Sequence, residues 1–279
     1  MPQQRPKISH ASRALTYTVQ ASNEHGEQVA TEIAGEGPLT LYLDKREIVT
    51  LMTLGAAPEA LALGYLRNQR LVGSIEEIAE VQVDWETEAV AVTTRHGVTH
   101  DEKRLGKRTV TSGCGQGTMF GDLMEEIERI HLPEDAILTV ATLQALLENV
   151  RHHDTLYKKA GALHGCALAQ GAEILYYVED VGRHNAVDAI AGMMWLDGIS
   201  GSDKIFYTTG RLTSEMVIKA AQVGVPFLVS RSGLTRMGWE IAQKVGVTMI
   251  GRAQGRHYLI FTGEQRLQRT SMPAEVAHP

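Results

Sequence analysis

Alternating apolar and polar positions predict a strand-rich N-terminal domain over residues 13–112. The alternation is typical of half-buried strands, and we predict strands at residues 14–19, 28–33, 39–43, 48–54, 81–83 and 89–94. One helix is expected over residues 58–71, because Pro58 stands at its start and leucines form an apolar face. Residues 1–12 show no such pattern, and we predict a disordered tail there.

The pattern changes after residue 136, where strands and helices alternate. Strands are predicted at residues 162–169, 173–178, 204–208, 226–229, 247–250 and 258–262, and helices at 142–150, 186–196, 213–224 and 235–245. We predict threonine N-caps at Thr142 and Thr213. Such alternation is typical of α/β domains with a mostly parallel sheet. We therefore predict an α/β domain over residues 137–279, in a chain that is α+β overall.

A glycine-rich segment separates the two predicted domains. We expect a mobile loop and linker over residues 113–136, with a short amphipathic helix at 122–130. Cys114 lies in this segment among three glycines, and Lys103, Arg104, Lys107 and Arg108 precede it. Positive charge lowers the pKa of a thiol and increases its thiolate fraction. The segment is either a reactive site that hands sulfur between partners or a glycine-rich surface turn.

Arginines recur in the loops that follow the predicted C-terminal strands. Each of four loops carries a glycine and an arginine. The four arginines are Arg183, Arg211, Arg231 and Arg252, and Arg256 is a fifth arginine in the last of these loops. Loops after parallel strands gather at one edge of a sheet, where ligands bind. A guanidinium matches a phosphate with two parallel hydrogen bonds. We predict a polyanionic ligand such as a nucleotide; the alternative is that each arginine pairs with a nearby carboxylate.

Three further polar residues stand in the first of these loops, which we predict over residues 179–185. Glu179 and Asp180 are candidates to accept hydrogen bonds from guanine, or to hold Arg183 in place. His184 is a candidate proton donor or phosphate contact, or else a buried structural histidine.

Composition and charge limit the remaining function classes. The chain has 279 residues, 43% of them hydrophobic, and a formal net charge of −6, which does not favour general binding to nucleic acid. Two cysteines in a chain of this length fit a reducing cytoplasm rather than a disulfide scaffold. No apolar run approaches the roughly 20 residues that cross a bilayer, so we expect no membrane insertion.

The run Glu-Asp-Val-Gly-Arg-His-Asn-Ala at residues 179–186 closely resembles the hallmark of the FdhD family of formate dehydrogenase accessory sulfurtransferases. Supporting matches cover nearly the whole chain: residues 64–66, His164, residues 210–211 with Glu215, and residues 230–232. The resemblance implies a homodimer whose C-terminal domain has a three-layer fold like that of cytidine deaminase, and the cysteine content predicts a cytoplasmic location.

The resemblance also implies an activity. A sulfur carrier of this kind receives persulfide sulfur from a cysteine desulfurase, here on Cys114. It passes the sulfur to a molybdenum bis-guanine-dinucleotide cofactor before insertion into the formate dehydrogenase catalytic subunit, and GDP would mimic that cargo. The implied cofactor-binding residues are Glu179, Asp180, Gly182, Arg183, His184, Asn185, Gly210, Arg211, Ser230, Arg231, Ser232, Arg252, Ala253, Gln254, Gly255, Arg256 and His257.

The chain departs from the family pattern in one respect. The family usually carries Cys-x-x-Cys in the loop, and here Gly117 stands at the second cysteine position. A non-catalytic chaperone of the molybdenum cofactor is therefore an alternative. A zinc hydrolase of the deaminase type is a further alternative, but it needs a Pro-Cys-x-x-Cys run that this sequence lacks.

Overall fold

The computed structural model describes residues 5–97, 130, 132–153 and 155–269, and the backbone of two short strands at residues 109–110 and 117–118. Cys114 lies outside the described residues. So do the basic residues that precede it and all but the last residue of the helix predicted at 122–130. No helix of the described part is both long and apolar enough to cross a membrane.

The N-terminal part forms a five-stranded sheet and a separate hairpin. Its strands are β1 Lys7–Ile8, β2 Thr16–Ser22, β3 Gln28–Ala34, β4 Gly37–Leu43, β5 Arg46–Thr53, β6 Ile78–Asp84 and β7 Ala89–Thr94, with the helix α1 Pro58–Asn68 between β5 and β6. The sheet has the order β1-β6-β7-β4-β5, and β2 and β3 form a two-stranded sheet. Every second residue of β4 is buried, which is the alternation that predicted it.

The predicted disorder of residues 1–12 is wrong for the residues that the structure describes. Strand β1 pairs in parallel with β6. Ser9 Oγ donates to Glu59 Oε1 at 2.6 Å, and the backbone N–H of Ala11 donates to the same oxygen at 2.7 Å. A strand of two residues is too short to produce a periodic pattern, so no alternation predicts it.

The C-terminal part is built on a six-stranded sheet. After the short strands β8 Thr109–Val110, β9 Gly117–Thr118 and β10 Leu138–Thr139, its strands are β11 His164–Gln170, β12 Glu173–Asp180, β13 Lys204–Thr208, β14 Phe227–Ser230, β15 Thr248–Gln254 and β16 His257–Thr262, and β17 Leu267–Gln268 follows. Its helices are α2 Val140–His152, α3 Tyr157–Ala160, α4 Arg183–Asp197, α5 Ser214–Gln222 and α6 Arg236–Val245. The strand order is β12-β11-β13-β14-β15-β16.

The α/β class is confirmed, but the sheet is mixed rather than mostly parallel. Only β13 with β14 and β14 with β15 pair in parallel, and the other three neighbouring pairs are antiparallel. Strand β12 nevertheless runs in the same direction as β13, because both are antiparallel to β11. The carboxyl ends of β12, β13, β14 and β15 therefore lie at one edge of the sheet, which we call the ligand edge.

Helices cover the two faces of this sheet unequally. Helices α4, α5 and α6 pack on one face, through core residues such as Ile190, Val217 and Ile241, and we call it the closed face. Helix α2 packs on the other through Leu143, Leu146, Leu147 and Val150, and we call it the open face.

The closed face also joins the N-terminal part. Helix α1 crosses α4 where two glycines meet, and a Cβ on Gly64 would lie 1.6 Å from the carbonyl oxygen of Asp188. A Cβ on Gly192 would lie 1.9 Å from the carbonyl oxygen of Ala60. One hydrophobic core runs from the N-terminal sheet through this crossing to the closed face. The predicted domain boundary at residues 113–136 lies mostly outside the described residues.

Several element ends differ from their predicted positions. Helix α2 is capped by Thr139 rather than Thr142, since Thr139 Oγ1 accepts from the backbone N–H of Thr142. Helix α4 begins at Arg183, so Arg183, His184 and Asn185 form its first turn instead of a loop. Thr213 does precede α5, but its hydroxyl makes no capping bond.

Candidate functional site

Backbone and side-chain hydrogen bonds hold the strand-end segments of the ligand edge together. Ser230 Oγ donates to the carbonyl oxygen of Gly210 at 2.6 Å. The backbone N–H of Arg231 donates to Thr208 O at 3.1 Å, and that of Arg252 donates to Ser232 O at 2.8 Å. The predicted convergence of the loops after β13, β14 and β15 is thus present as direct contacts.

Arg183 and His164 lie at the same edge, since Arg183 follows the end of β12 and His164 is the first residue of β11. The side chain of Arg183 lies against Gly210, where an added Cβ would be 2.7 Å from Arg183 Cδ. His164 opens β11, whose antiparallel direction brings its first residue to this edge. Burial lowers the pKa of His164, and the positive charges of Arg183 and Arg211 lower it further. The positive charges of the edge thus act on the pKa of this imidazole in the same direction as its burial.

Four of the five arginines are exposed, and they form no salt bridge with any carboxylate of the described residues. Arg211, Arg231, Arg252 and Arg256 are exposed. None of them forms a salt bridge with a carboxylate in the described part of the chain. The alternative in which each arginine serves a nearby carboxylate therefore has no support at these positions.

A cavity of about 690 Å³ opens beside the ligand edge, between the open face and α2. Among the predicted site residues it is lined by Glu179, Arg231, Ala253, Gln254 and Gly255. Its volume lies in the range of small-molecule and cofactor sites, about 300–1,000 Å³. The predicted residues Arg252, Arg256 and His257 are exposed but are not part of its lining.

Aromatic and cationic side chains complete the cavity, and sequence reasoning missed them. Tyr177 and Tyr207 come from the open face, and His153 stacks on Tyr177 with ring centroids 4.2 Å apart. Arg151 and Lys158 add positive charge. Burial raises the pKa of Tyr207 to about 12. Because successive side chains of a strand point to opposite faces, both tyrosines lie on the face of the sheet opposite that of Cys166. This alternation in the sequence was the signal from which their position could have been predicted.

Glu179 is held by the start of α3. Its Oε2 accepts from the backbone N–H of Leu156 at 2.5 Å, and its Oε1 accepts from that of Tyr157 at 3.0 Å. Each carboxylate oxygen keeps a second lone pair. Glu179 therefore remains chemically able to accept a hydrogen bond from a ligand in the cavity.

Asp180 and Asn185 contact the N-terminal sheet instead. Asp180 Oδ2 accepts from Thr53 Oγ1 at 2.5 Å and from the backbone N–H of Leu54 at 3.1 Å. Its Oδ1 accepts from Gly182 N at 2.9 Å and from Asn185 Nδ2 at 2.8 Å, and Asn185 Nδ2 also donates to Met52 O at 2.8 Å. Asp180 is 3% exposed. Four donors already satisfy its carboxylate, so the predicted contact of Asp180 with a guanine base is not supported.

His184 belongs to a buried network of charges on the closed face. Its Nε2 lies 3.3 Å from Glu215 Oε2. Lys219 Nζ lies 3.4 Å from Glu215 Oε1 and 2.8 Å from Asp188 Oδ2. Burial, with the charges of Lys219 and Arg183, lowers the pKa of His184 to about 2. Of the alternatives that the sequence left open, the buried neutral histidine agrees with this geometry.

Cys166 is chemically quiet. The residue is fully buried, and its Sγ lies 3.2 Å from Thr208 Oγ1. Burial raises the pKa of its thiol to about 12. Because the thiolate is the reactive form, this cysteine does not replace the second cysteine of the usual Cys-x-x-Cys loop.

The described residues offer no group of three or more His, Cys, Asp or Glu side chains that could hold a metal ion. The zinc-hydrolase alternative therefore gains nothing from the part of the chain that the structure covers.

Fold and site together define a mixed α/β protein with an arginine-rich sheet edge beside an aromatic cavity. The chain belongs to the FdhD/NarQ family, whose model matches residues 34–268. It is 29% identical over 243 residues to the sulfur carrier protein FdhD of Listeria monocytogenes serotype 4b, covering 86% of this chain and 93% of that protein. It is also 29% identical to the sulfur carrier protein FdhD of Bacillus subtilis over 253 residues, 88% of this chain and 94% of the relative.

A solved structure supports the same assignment. The crystal structure of a protein from Desulfotalea psychrophila, described as a formate dehydrogenase accessory protein, matches with a TM-score of 0.72 and 26% sequence identity. The match covers 91% of this chain and 98% of that chain.

Proposed function

We propose that this chain is a sulfur carrier that serves the maturation of formate dehydrogenase, with Cys114 as the residue that carries the sulfur. The observation that carries this proposal is the family match over residues 34–268, together with relatives named sulfur carrier protein that are matched over more than nine-tenths of their length. Of the two cysteines in the chain, Cys166 is buried with a raised thiol pKa, which leaves Cys114 as the candidate nucleophile.

The loading step is a thiol–persulfide exchange. The Cys114 thiolate attacks the outer sulfur of a persulfide on a cysteine desulfurase, a new S–S bond forms, and the desulfurase thiolate leaves. No net oxidation occurs, and a single cysteine is sufficient. The basic residues before Cys114 would favour the thiolate that this step requires.

The cargo in this proposal is the molybdenum bis-guanine-dinucleotide cofactor, received at the ligand edge. Its phosphates would pair with exposed arginines such as Arg211 and Arg231, because guanidinium groups bind phosphate in a bidentate manner. Its base would enter the cavity and lie against Tyr177 or Tyr207, where Glu179 could accept a hydrogen bond from guanine. Phosphate contacts alone cannot distinguish guanine from adenine, so preference for guanine would depend on such a contact.

Further parts of the proposal concern partners and place. The sulfur donor would be a cysteine desulfurase, and the final recipient would be the catalytic subunit of formate dehydrogenase. We propose a cytoplasmic homodimer.

Mass spectrometry after incubation with a cysteine desulfurase and cysteine tests the carrier function. We expect a mass increase of roughly +32 Da on Cys114, the mark of one added sulfur atom. The control is Cys114→Ser, which should acquire no such adduct and should fail to mature the recipient enzyme. Normal maturation of that enzyme by Cys114→Ser would favour a cofactor chaperone that moves no sulfur.

Calorimetry with nucleotides tests the cargo site separately. GDP should bind to the wild-type protein, and ADP should bind more weakly. Equal binding of the two nucleotides, or no binding of GDP at millimolar concentration, would contradict the proposed guanine site.

A further inference from the structure

The eight-residue run at residues 179–186 contains two side chains that bind the end of the N-terminal strand β5. Asp180 binds the end of β5 through one carboxylate oxygen and the turn before α4 through the other. Asn185 adds a second connection, since its amide nitrogen donates both to Asp180 and to the carbonyl oxygen of Met52. One carboxylate thus joins two parts of the molecule that are more than 120 residues apart in sequence.

We propose that Thr53, Asp180 and Asn185 are positioning residues that form a latch. Through this latch the N-terminal sheet fixes the turn at residues 182–184. The position of that turn in turn sets the affinity of the ligand edge for its polyanionic ligand. The latch rests on the proposed function in one respect, namely that the ligand edge binds a nucleotide. It makes no contact with that nucleotide. Its effect passes through the turn that begins α4 and carries Arg183.

Asp180 gives this turn a hydrogen bond that the helix does not supply itself. Gly182 is the N-cap residue of α4, and no side chain of its own caps the helix. The backbone N–H of Gly182 is bound instead by Asp180 Oδ1 at 2.9 Å. Arg183, the next residue, lies against Gly210 of the neighbouring strand-end loop. A shift of Asp180 would therefore move the first turn of α4 relative to the rest of the ligand edge.

Burial makes the latch stiff. Thr53 is 1% exposed and Asp180 is 3% exposed, so water cannot replace a lost hydrogen bond without entering the interior. A buried carboxylate that loses a donor bears an uncompensated cost of desolvation. The carboxylate would then be expected to move towards its remaining donors, which are on the turn and on the backbone of Leu54.

Coupling of this kind is reciprocal. If the latch raises the affinity of the edge for a nucleotide, the nucleotide must stabilise the latch by the same factor. Nucleotide binding should consequently slow hydrogen exchange at the Leu54 amide, which donates to Asp180 but does not line the cavity.

The test compares two threonines that make the same kind of contact in the same sheet. Thr53→Val removes the hydroxyl that donates to Asp180, whereas Thr53→Ser keeps it. The matched control is Thr94→Val: Thr94 Oγ1 donates to Asp44 Oδ2 at 2.6 Å, and its backbone N–H donates to Asp44 Oδ1 at 2.8 Å, at the opposite end of the sheet from Thr53. The readouts are GDP affinity by calorimetry and amide hydrogen exchange over residues 182–185.

We expect Thr53→Val to weaken GDP binding about tenfold, which is within the usual range of coupling between sites. Exchange at residues 182–185 should also quicken about tenfold in this variant. Thr53→Ser and Thr94→Val should both stay within about twofold of wild type in these two measurements.

The outcomes separate the latch from the proposed function. If Thr53→Val matches Thr94→Val in both measurements, Thr53 has only a structural role and the latch is wrong. Unchanged exchange at residues 182–185 overturns the latch whether or not GDP binds. A wild-type protein that binds no GDP overturns the proposed cargo site instead, and the exchange comparison then decides the latch by itself.

Discussion

The two faces of the six-stranded sheet differ in what covers them. Three helices and the N-terminal part cover the closed face, and its polar groups are locked into buried contacts such as that between Lys219 and Asp188. The open face is covered mainly by α2, which leaves a cavity lined by Tyr177 and Tyr207. Both faces end at the ligand edge. The comparison indicates that the closed face maintains the geometry of the edge, whereas the open face offers room for a ligand.

The charges on the closed face support this division. Burial lowers the pKa of Lys219, but Asp188 and Glu215 offset the effect, and the pKa is raised overall. Removing one partner of a buried pair is strongly destabilising, although an intact pair is often no better than apolar packing. Such a network contributes a defined geometry at least as much as stability, and here one of its members, His184, lies in the first turn of α4.

The largest effect should come from closing the glycine crossing between α1 and α4. Gly64→Val should destabilise the protein by more than about 5 kcal/mol, or prevent folding, because the first added carbon would lie 1.6 Å from a backbone oxygen. Urea denaturation monitored by circular dichroism measures this loss. The control is Gly233→Ala, whose added Cβ meets no atom within 4 Å. A Gly64→Val protein of normal stability would show that folding does not require so close an approach of α1 to α4.

The second prediction compares Arg231, on the open-face side of the ligand edge, with Arg211, on its closed-face side. Arg231 lines the cavity, whereas Arg211 is close enough to His164 and His184 to lower the pKa of both. Arg231→Ala should weaken GDP binding by about 1.5–3 kcal/mol, the usual value of a hydrogen bond to a charged group. The proposed phosphate contacts predict a similar loss for Arg211→Ala. Calorimetry on the two variants measures both losses.

Sulfur loading separates the roles of these arginines further. Arg211→Ala should leave the mass adduct on Cys114 unchanged, because loading requires only the cysteine and the desulfurase. Loss of loading with nucleotide affinity intact would assign Arg211 to the cysteine instead. If only Arg231→Ala weakens binding, the nucleotide lies entirely on the open side of the edge.

The third prediction uses the buried imidazole of the closed face as a pH probe. The pKa of His184 is lowered to about 2, against an ordinary value of about 6.5 in the unfolded chain. As the pH falls below 6.5, the unfolded state therefore binds a proton at His184 that the folded state does not bind. The stability associated with this histidine is fully present above pH 6.5 and is lost as the pH falls below that value.

From pH 7 to pH 5 this difference amounts to about 2 kcal/mol. His184→Gln removes this proton uptake, so its stability should fall less steeply over the same range. The quantity to compare is the slope of the unfolding free energy with pH, for wild type and variant. Equal slopes would mean that His184 is protonated in the folded protein.

Local patterns predicted the elements well, because strand alternation and helical periodicity depend on residues close in sequence. The order of strands and helices along the chain also predicts one shared edge for Gly210, Arg211, Ser230 and Arg231. The roles of Asp180 and Asn185 could not be predicted in this way. Both stand in the same short motif as Arg183, and only the docking of β5 reveals that their partners are distant.

Other features depend on packing between segments that the sequence does not connect. Gly64 looked like one residue of a motif, yet its role depends on how closely α1 approaches α4. The cavity depends on Lys158 and His153, which follow α2 without any ligand-like spacing. The mixed direction of the sheet arises from the tight turns between β11 and β12 and between β15 and β16, because a two-residue turn joins only antiparallel strands. The alternation of strands and helices, which predicts a parallel sheet, takes no account of turn length.

The smallest effect should be at Cys166, which lies on the closed face directly beneath the ligand edge. With a thiol pKa of about 12, only about one molecule in 10⁵ carries the thiolate at pH 7, so this sulfur should take no part in transfer. Cys166→Ser should load sulfur on Cys114 to within about twofold of wild type. Its stability should fall by only about 1 kcal/mol, since the serine hydroxyl can still bond to Thr208.

Mass spectrometry of the loaded variant measures the sulfur loading, and urea denaturation measures the stability. Loss of loading in Cys166→Ser with stability retained would show that the closed face opens during transfer and exposes a second carrier cysteine, and the division between a fixed closed face and a receptive open face would then be wrong.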